Sequence, residues 1–382
     1  MDFMLNKVQK DIQKAARAFA KGEFDRERAL EFEERHEFPT EIWKKAAGEG
    51  FIGLDFPEEY GGSGYGNLEK ALVIEEFCRR DSGIGSALLV TDFGAANIAH
   101  YGTDEQKRRY LPLVCEGEAI SGGAITEPEH GSDITSMATV AKRNGDDWIV
   151  DGVKTFITSA GIAHHYVTLC QTDPDAGRKG QTMFVIDADS PGIEVASVGN
   201  KMGIKMIPTG ELSFKSVRVP GGNLLGEEGK GFSQIVKFFD ESRLVVAAQA
   251  VGIAQGAFER ALDYVKGRKQ FGKRIAQFQI TQHKLADMAT KIELARLITH
   301  KAAWTADQGK PDSKLTSMAK VYASRTAVEV ADEAIQLLGG YGYITEFEVE
   351  RFYRDARITE IYEGTNEIQK NNIAGALIGR LR

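Results

Sequence analysis

The sequence predicts a multidomain α+β protein. It should have an N-terminal helical domain over residues 1–120, a small central β-barrel or sandwich over 121–228, and a C-terminal four-helix bundle over 229–382. Three observations predict this. Apolar residues recur every three or four positions up to about Ile120, the period falls to two between about Ser121 and Gly226, and long Ala-rich helical runs follow from about Lys230. A chain of 382 residues exceeds what one ordinary core organises, and its 42% hydrophobic content can fill two or three.

Each element follows from its pattern. In "NKVQKDIQKAARAFAKGEF", Val8, Ile12, Ala15 and Phe19 fall on one helix face. "PTEIWKKAAGEGF" opens on Pro39-Thr40 and stops at Gly48 and Gly50. "PEEYGGSGYGN" reads as a Gly-rich loop, and "LEKALVIEEFCRR" as another amphipathic helix. The runs "WIVDGVKTFITS", "HYVTLCQT", "TMFVIDAD", "IEVASV" and "GELSFKSVRVP" are short strands separated by Gly, Asp, Pro and Asn. "ESRLVVAAQAVGIAQGAFERALDYVKG" is apolar on nearly every side, so it should be largely buried, partly against another subunit. "QITQHKLADMATKIELARLITHKAAWTAD" and "SKLTSMAKVYASRTAVEVADEAIQLLGG" complete an antiparallel bundle.

Composition narrows the function classes. A net charge of −7 with no long basic run argues against nucleic acid as the main partner. Cys78, Cys115 and Cys170 lie far apart, which fits neither a disulfide framework nor a zinc site and suits a reducing compartment. The N-terminus lacks an apolar signal core and no stretch is long enough to span a membrane, so a cytoplasmic location is expected.

Four stretches combine glycine, polar and aromatic residues. "ITEPEHGSD" is either a capped interdomain loop or a ligand loop, with Thr126 and Ser132 offering hydroxyls. "GRKQFGKRI" gathers cations around Phe271, either as a solvated helix end or as a seat for an anion with a flat ring. "QLLGGYGY" is a helix stop or a place of close backbone approach. In "EIYEGTNEIQ", Thr365 can cap the next helix, which leaves Glu363 beside that helix's N-terminus. The helix end favours the ionised acid, whereas burial against Tyr362 opposes it. Glu363 is therefore either a plain dipole acid or a general base.

The order of "TEPEHGSD", "KTFITSA", "FDESR", "GRKQFGK", "QLLGGYGY" and "RDARITEIYEGTNEIQ" resembles the acyl-CoA dehydrogenase family, from about Phe3 to the last helix. The resemblance implies one FAD per subunit, an acyl-CoA substrate, an electron-transfer flavoprotein as electron acceptor, and a homotetramer built as a dimer of dimers. It implies that Glu363 removes the α-proton while the β-hydride passes to flavin N5. Ile125, Thr126 and Ser132 match flavin-contacting positions, and Ser132 also matches one near the substrate phosphates. Phe156 and Thr158 match the stretch lying on the isoalloxazine, with Phe156 in place of the commoner Trp. Arg268, Phe271, Gln279, Gln336 and Gly340 match residues reaching the FAD of a neighbouring subunit. Thr365 and Glu367 match contacts beyond the base, and Asp240 and Arg243 match positions near the CoA.

Some family members carry the base one residue before that arginine. Ser242 stands there instead, which leaves Glu363 as the base. Ile84 replaces the arginine of glutaryl-CoA enzymes, which disfavours a dicarboxylic substrate. A short-chain, branched or alicyclic acyl-CoA is the expected substrate class. Asp92 falls in the segment that lines the acyl pocket. It either caps the following helix or binds backbone N–H groups, or else serves as a second acid/base or polar group for an alicyclic or hydroxylated substrate. The competing readings are an acyl-CoA oxidase, a flavin monooxygenase, and a non-catalytic flavoprotein or CoA-thioester scaffold.

Overall fold

The computed structural model describes residues 4–379. The first three and last three residues of the expected division (1–120 and 229–382) lie outside the described residues. Seven helices come first: α1 (Lys7–Glu23), α2 (Arg26–Arg35), α3 (Thr40–Gly48), α4 (Asn67–Arg80), α5 (Ser82–Leu89), α6 (Phe93–Tyr101) and α7 (Asp104–Cys115). The buried stripe of α1 runs through Ile12, Ala16, Phe19 and Ala20, whereas Val8 and Ala15 face solvent. The predicted face is thus rotated by one position, because Ala16 and not Ala15 continues the spacing from Ile12 to Phe19.

α4 departs further from expectation. It is not amphipathic: every residue from Ala71 to Cys78 is buried. Its Leu68, Ala71, Ile74 and Cys78 enter the core of the C-terminal bundle, and Val73 and Phe77 enter the core shared by the N-terminal helices and the sheet. Two carboxylates come along. Glu75 pairs with Arg296 at 2.7 Å and Glu76 with Arg17 at 2.6 Å, so each buried charge has a cation beside it.

The middle of the chain forms one eight-stranded sheet: β1 (Ser121–Ala124), β2 (Val140–Asn144), β3 (Asp147–Thr158), β4 (His165–Gln171), β5 (Gln181–Asp187), β6 (Ile193–Ser197), β7 (Thr209–Val219) and β8 (Leu224–Leu225). The order is β6-β7-β3-β2-β4-β5-β8, with β1 parallel to β4. The register between β3 and β7 shifts between Lys154 and Ile157. The residue inside that irregularity, Phe156, has φ +56° and an exposed ring.

Five helices close the structure: α8 (Gly231–Gly267), α9 (Gln279–Asp307), α10 (Ser313–Leu338), α11 (Val349–Ile358) and α12 (Asn366–Ile378). The three long ones match the sequence, and α11 and α12 are short pieces linked by the turn that carries Glu363. The single chain already buries most of α8. Within the chain α8 packs against α4, α5, α9, α10 and α11. Gly252 and Gly256 permit the α4 contact: a Cβ there would lie 2.5 Å from Glu75 O and 2.3 Å from Arg79 O.

Candidate active site

The turn between α11 and α12 sets the site. Glu363 adopts φ +55°, in the left-handed region, and Gly364 follows at +84°. A left-handed non-glycine costs about 1 kcal/mol, so the surroundings must hold it. Gln369 Nε2 donates to Glu363 O at 3.1 Å and to Gly364 O at 2.9 Å. Thr365 caps α12, its Oγ1 accepting from the Ile368 N–H at 3.3 Å. From α10, Lys320 Nζ donates to Gly364 O at 2.9 Å and Asn366 Oδ1 at 3.1 Å.

The Glu363 carboxylate accepts from Ser242 Oγ on α8 at 2.6 Å. Desolvation pushes its carboxyl above the usual range, against the pull of Ser242, Arg243 and Lys320. Of the two opposing effects weighed on the sequence, burial prevails over the helix end. Seven residues along α8, on the same face, Gln249 accepts a short hydrogen bond from Tyr362 OH and donates to Ser86 Oγ on α5 at 2.7 Å. Tyr362 is therefore a hydrogen-bonded wall rather than an apolar one, and a buried polar chain Tyr362–Gln249–Ser86 stands beside the carboxylate.

Asp240 and Arg243 meet at 2.7 Å, and Asp240 also accepts from Ser313 Oγ at 2.5 Å. Arg243 is buried, and its Nε has no hydrogen-bond partner among the described residues. Glu367 is exposed on the first turn of α12.

A second group gathers on the sheet. Buried Lys154 donates to Ile125 O at 3.0 Å and to Glu127 Oε1 at 2.8 Å, and the Thr155 N–H donates to Thr126 O at 2.9 Å. These bonds bring Ile125 and Thr126 alongside Phe156 and Thr158. Ser132 lies exposed farther along the same loop. Phe156 presents a ring 66% exposed, and the neighbouring Ser159 Oγ is buried without a partner among the described residues. A flat aromatic ligand with polar edges fits an exposed ring beside an orphaned hydroxyl.

A third group lies at the far end of the bundle. Arg268, Gln336 and Gly340 line a cavity of about 470 Å³, with the Arg268 guanidinium 5.6 Å from the Tyr341 ring centre. Phe271 (92% exposed) and Gln279 stand at the same end.

Asp92 departs from its expected place. It occupies the N-cap position of α6, but its side chain makes no capping hydrogen bond. Instead it accepts from Lys70 Nζ at 3.0 Å, and Lys70 also reaches Asp55 at 2.9 Å. Burial pushes the Asp92 carboxyl up against the pull of Lys70, and Asp55 adds to the push. Sequence reasoning missed Lys70, Lys154, Gln249, Lys320 and Gln369. Of these, Lys320 left a trace: with Ser317 and Ser324 it forms a polar set spaced by three and four within "SMAKVYAS", a run otherwise rich in small and apolar residues.

Comparison with known proteins shows which family the chain belongs to. The family descriptions that match are "Acyl-CoA dehydrogenase, N-terminal domain" over 6–118, "middle domain" over 122–217 and "C-terminal domain" over 229–378. The probable acyl-CoA dehydrogenase FadE25 of Mycobacterium tuberculosis is 42% identical over 377 residues, 98% of this chain and 97% of its own. The chain belongs to the acyl-CoA dehydrogenase family. It is an oxidoreductase of this FAD-dependent family. It is also similar to the caffeyl-CoA reductase-Etf complex subunit CarC of Acetobacterium woodii, 43% identical over 97% of this chain and 98% of the other. The butyryl-CoA dehydrogenase structure from Megasphaera elsdenii superposes with a TM-score of 0.95 at 39% identity, covering 99% of this chain and 100% of the other. Among the described residues no helix is long and apolar enough to cross a membrane, and no group of three or more His, Cys, Asp or Glu could hold a metal ion.

Proposed function

We propose that this acyl-CoA dehydrogenase family member performs α,β-dehydrogenation of a short-chain acyl-CoA, with Glu363 as the α-proton base. The observation that carries the reading is the Glu363 carboxylate, held on a left-handed turn, hydrogen-bonded to Ser242 and shifted toward the neutral acid by desolvation. A desolvated carboxylate that is raised toward the neutral acid is a stronger base than a solvated one, which suits it to accept the α-proton. Its own backbone N–H, turned by the hinge, would donate to the thioester carbonyl and stabilise the developing enolate. Arg243 braces the carboxylate by charge, and with Asp240 it lies where the CoA would pass.

Ile125, Thr126, Ser132, Phe156 and Thr158 would hold FAD from one subunit, with Thr365 and Glu367 near it. Arg268, Phe271, Gln279, Gln336 and Gly340 would reach it from a neighbouring copy in a homotetramer. Bound FAD supplies the acceptor for the β-hydride, and an electron-transfer flavoprotein collects the electrons. We assign Asp92 no proton-transfer step, because Lys70 Nζ holds its carboxylate at 3.0 Å. A cytoplasmic location belongs to the same reading.

The short-chain assignment rests on Gln249. Its buried amide ties Tyr362 to Ser86 and would set a polar floor close to the base. A long alkyl chain entering there would strand those polar groups, whereas a short acyl group need not reach them. The test is dye-coupled oxidation of butyryl, hexanoyl, palmitoyl, isovaleryl, glutaryl and cyclohexanecarboxyl thioesters, with Glu363→Gln as control. Turnover should peak on a short chain and fall at least ~100-fold in the variant. Retained turnover in Glu363→Gln would overturn the base assignment. A reductive direction is favoured by one specific observation, the similarity to a reductase subunit of an Etf complex. Faster enoyl-CoA reduction by a reduced dye than acyl-CoA oxidation would establish it.

A further inference from the structure

Lys320 sits in the middle of α10 with no exposed surface, among buried alanines at 319, 323 and 327. Its ammonium contacts only neutral acceptors, Gly364 O and Asn366 Oδ1, and no carboxylate lies within salt-bridge distance of it among the described residues. A buried cation without a contacting anion is costly. The hydrogen bonds alone do not account for it, because each acceptor already has a neutral donor. Gln369 Nε2 reaches Gly364 O at 2.9 Å, and Ser324 Oγ reaches Asn366 Oδ1 at 3.2 Å. A second buried hydroxyl on the same face, Ser317 Oγ, donates to Gln369 Oε1 at 3.0 Å. The seam along 317, 320 and 324 would therefore hold the turn with neutral groups. What Lys320 adds is charge, placed directly under the residue that follows the base.

We propose that Lys320 is a positioning residue for the base: its buried ammonium, fixed beneath the Glu363–Asn366 turn, supplies the positive charge that keeps the Glu363 carboxylate ionised in a desolvated site. The inference rests on the assignment of Glu363 as base. The charged groups that act on Lys320 are Glu363 and Glu360 on the turn, Arg243 on α8 and Glu367 on α12. Its charge in turn pulls the Glu363 carboxyl down. Burial lowers the ammonium itself to about 7.

The test compares Lys320→Met, Lys320→Gln and Lys320→Arg with wild type and Glu363→Gln, all as FAD-loaded protein. Measurements are kcat and KM for the preferred acyl-CoA from pH 5.5 to 9, together with Tm. Lys320→Gln keeps a donor and removes the charge, whereas Lys320→Arg keeps the charge. In Lys320→Met and Lys320→Gln the acid limb of kcat should move up by about one pH unit, so that kcat on the acid side of the limb falls up to ~10-fold with KM changed less than threefold. Tm should not fall. Burial depresses the lysine below its unfolded value, so the wild type carries the full cost of the buried charge below about pH 7 and sheds it as pH rises toward 10.5. Lys320→Arg should restore the limb. A wild-type limb and kcat in Lys320→Gln would overturn the proposal, as would a loss of Tm that accompanies the loss of rate in every variant. If Glu363→Gln stays active, the base assignment fails instead, and the two failures are told apart in one experiment.

Discussion

At Glu363 three neighbours oppose one medium. Desolvation favours the neutral acid, while the Ser242 hydroxyl, the Arg243 guanidinium and the Lys320 ammonium favour the ion. Among the described residues Ser242 is the one of the three that hydrogen-bonds the carboxylate directly, at 2.6 Å. Removing it should raise the carboxyl further, since a hydrogen bond to a charged group is worth about 1.5–3 kcal/mol and 1.36 kcal/mol is one pKa unit. Ser242→Ala is thus expected to move the acid limb of kcat up by about one pH unit while leaving the alkaline plateau nearly intact. Steady-state rates across pH check it, and an unmoved limb would show that the hydroxyl does not tune the base. Gly364 is constrained twice, by φ +84° and by the Gln369 amide, which a Cβ would meet at 2.6 Å. Gly364→Ala should push Gln369 off the two carbonyls it serves and let the base drift. A displacement near 1 Å can cost about 100-fold in rate, so kcat should fall at least ~10-fold with FAD content unchanged.

At the scale of elements, much was legible and the failures have physical causes. The short strands and the long bundle helices followed from period and composition, and Thr365 was readable as a cap because capping is a local event. α4 was misread because its two faces belong to two cores, so it carries no polar stripe to reveal them. Of the roles open to Asp92, capping is not the one it takes, because Lys70, 22 positions earlier, competes for the carboxylate, and local sequence does not display a partner on another helix. Gln249 and Lys320 escaped notice for the same reason: their worth lies in partners 113 and 44 positions away. The loop of Ile125 and Thr126 shows the same dependence. It is tied to the irregular end of β3 by a wholly buried lysine, so Lys154→Met should free it. The expected outcome is a purified protein that retains less FAD and rebinds it several-fold more weakly, read from the flavin absorbance ratio and by fluorescence titration. Full retention would show that the loop is set by its backbone alone.

The molecule as a whole leaves an account open at one end. Its sheet side presents an exposed ring and an orphaned hydroxyl, and the far end of its bundle presents Arg268 beside a cavity, with Phe271 92% and Tyr343 85% exposed. Large aromatics that exposed, beside a cavity lined by Arg268 and Tyr341, mark a surface suited to being covered. The proposed assembly covers it by bringing one copy's bundle end to another copy's flavin. On that reading, cofactor retention and oligomeric state are one property. Phe271→Asp places a carboxylate where a flat ring and an anionic phosphate would both be served by an aromatic and its neighbouring cations, so it should weaken subunit contact and FAD binding together. Sedimentation velocity should show a shift toward smaller species as the flavin-to-protein absorbance ratio falls, while the far-UV spectrum of the bundle is preserved. Arg268→Gln should lower FAD retention with a smaller change in mass, because it removes a charge rather than an apolar contact. Loss of mass without loss of flavin in Phe271→Asp would mean that each chain holds its FAD unaided, and the third group of residues would then belong to the interface alone.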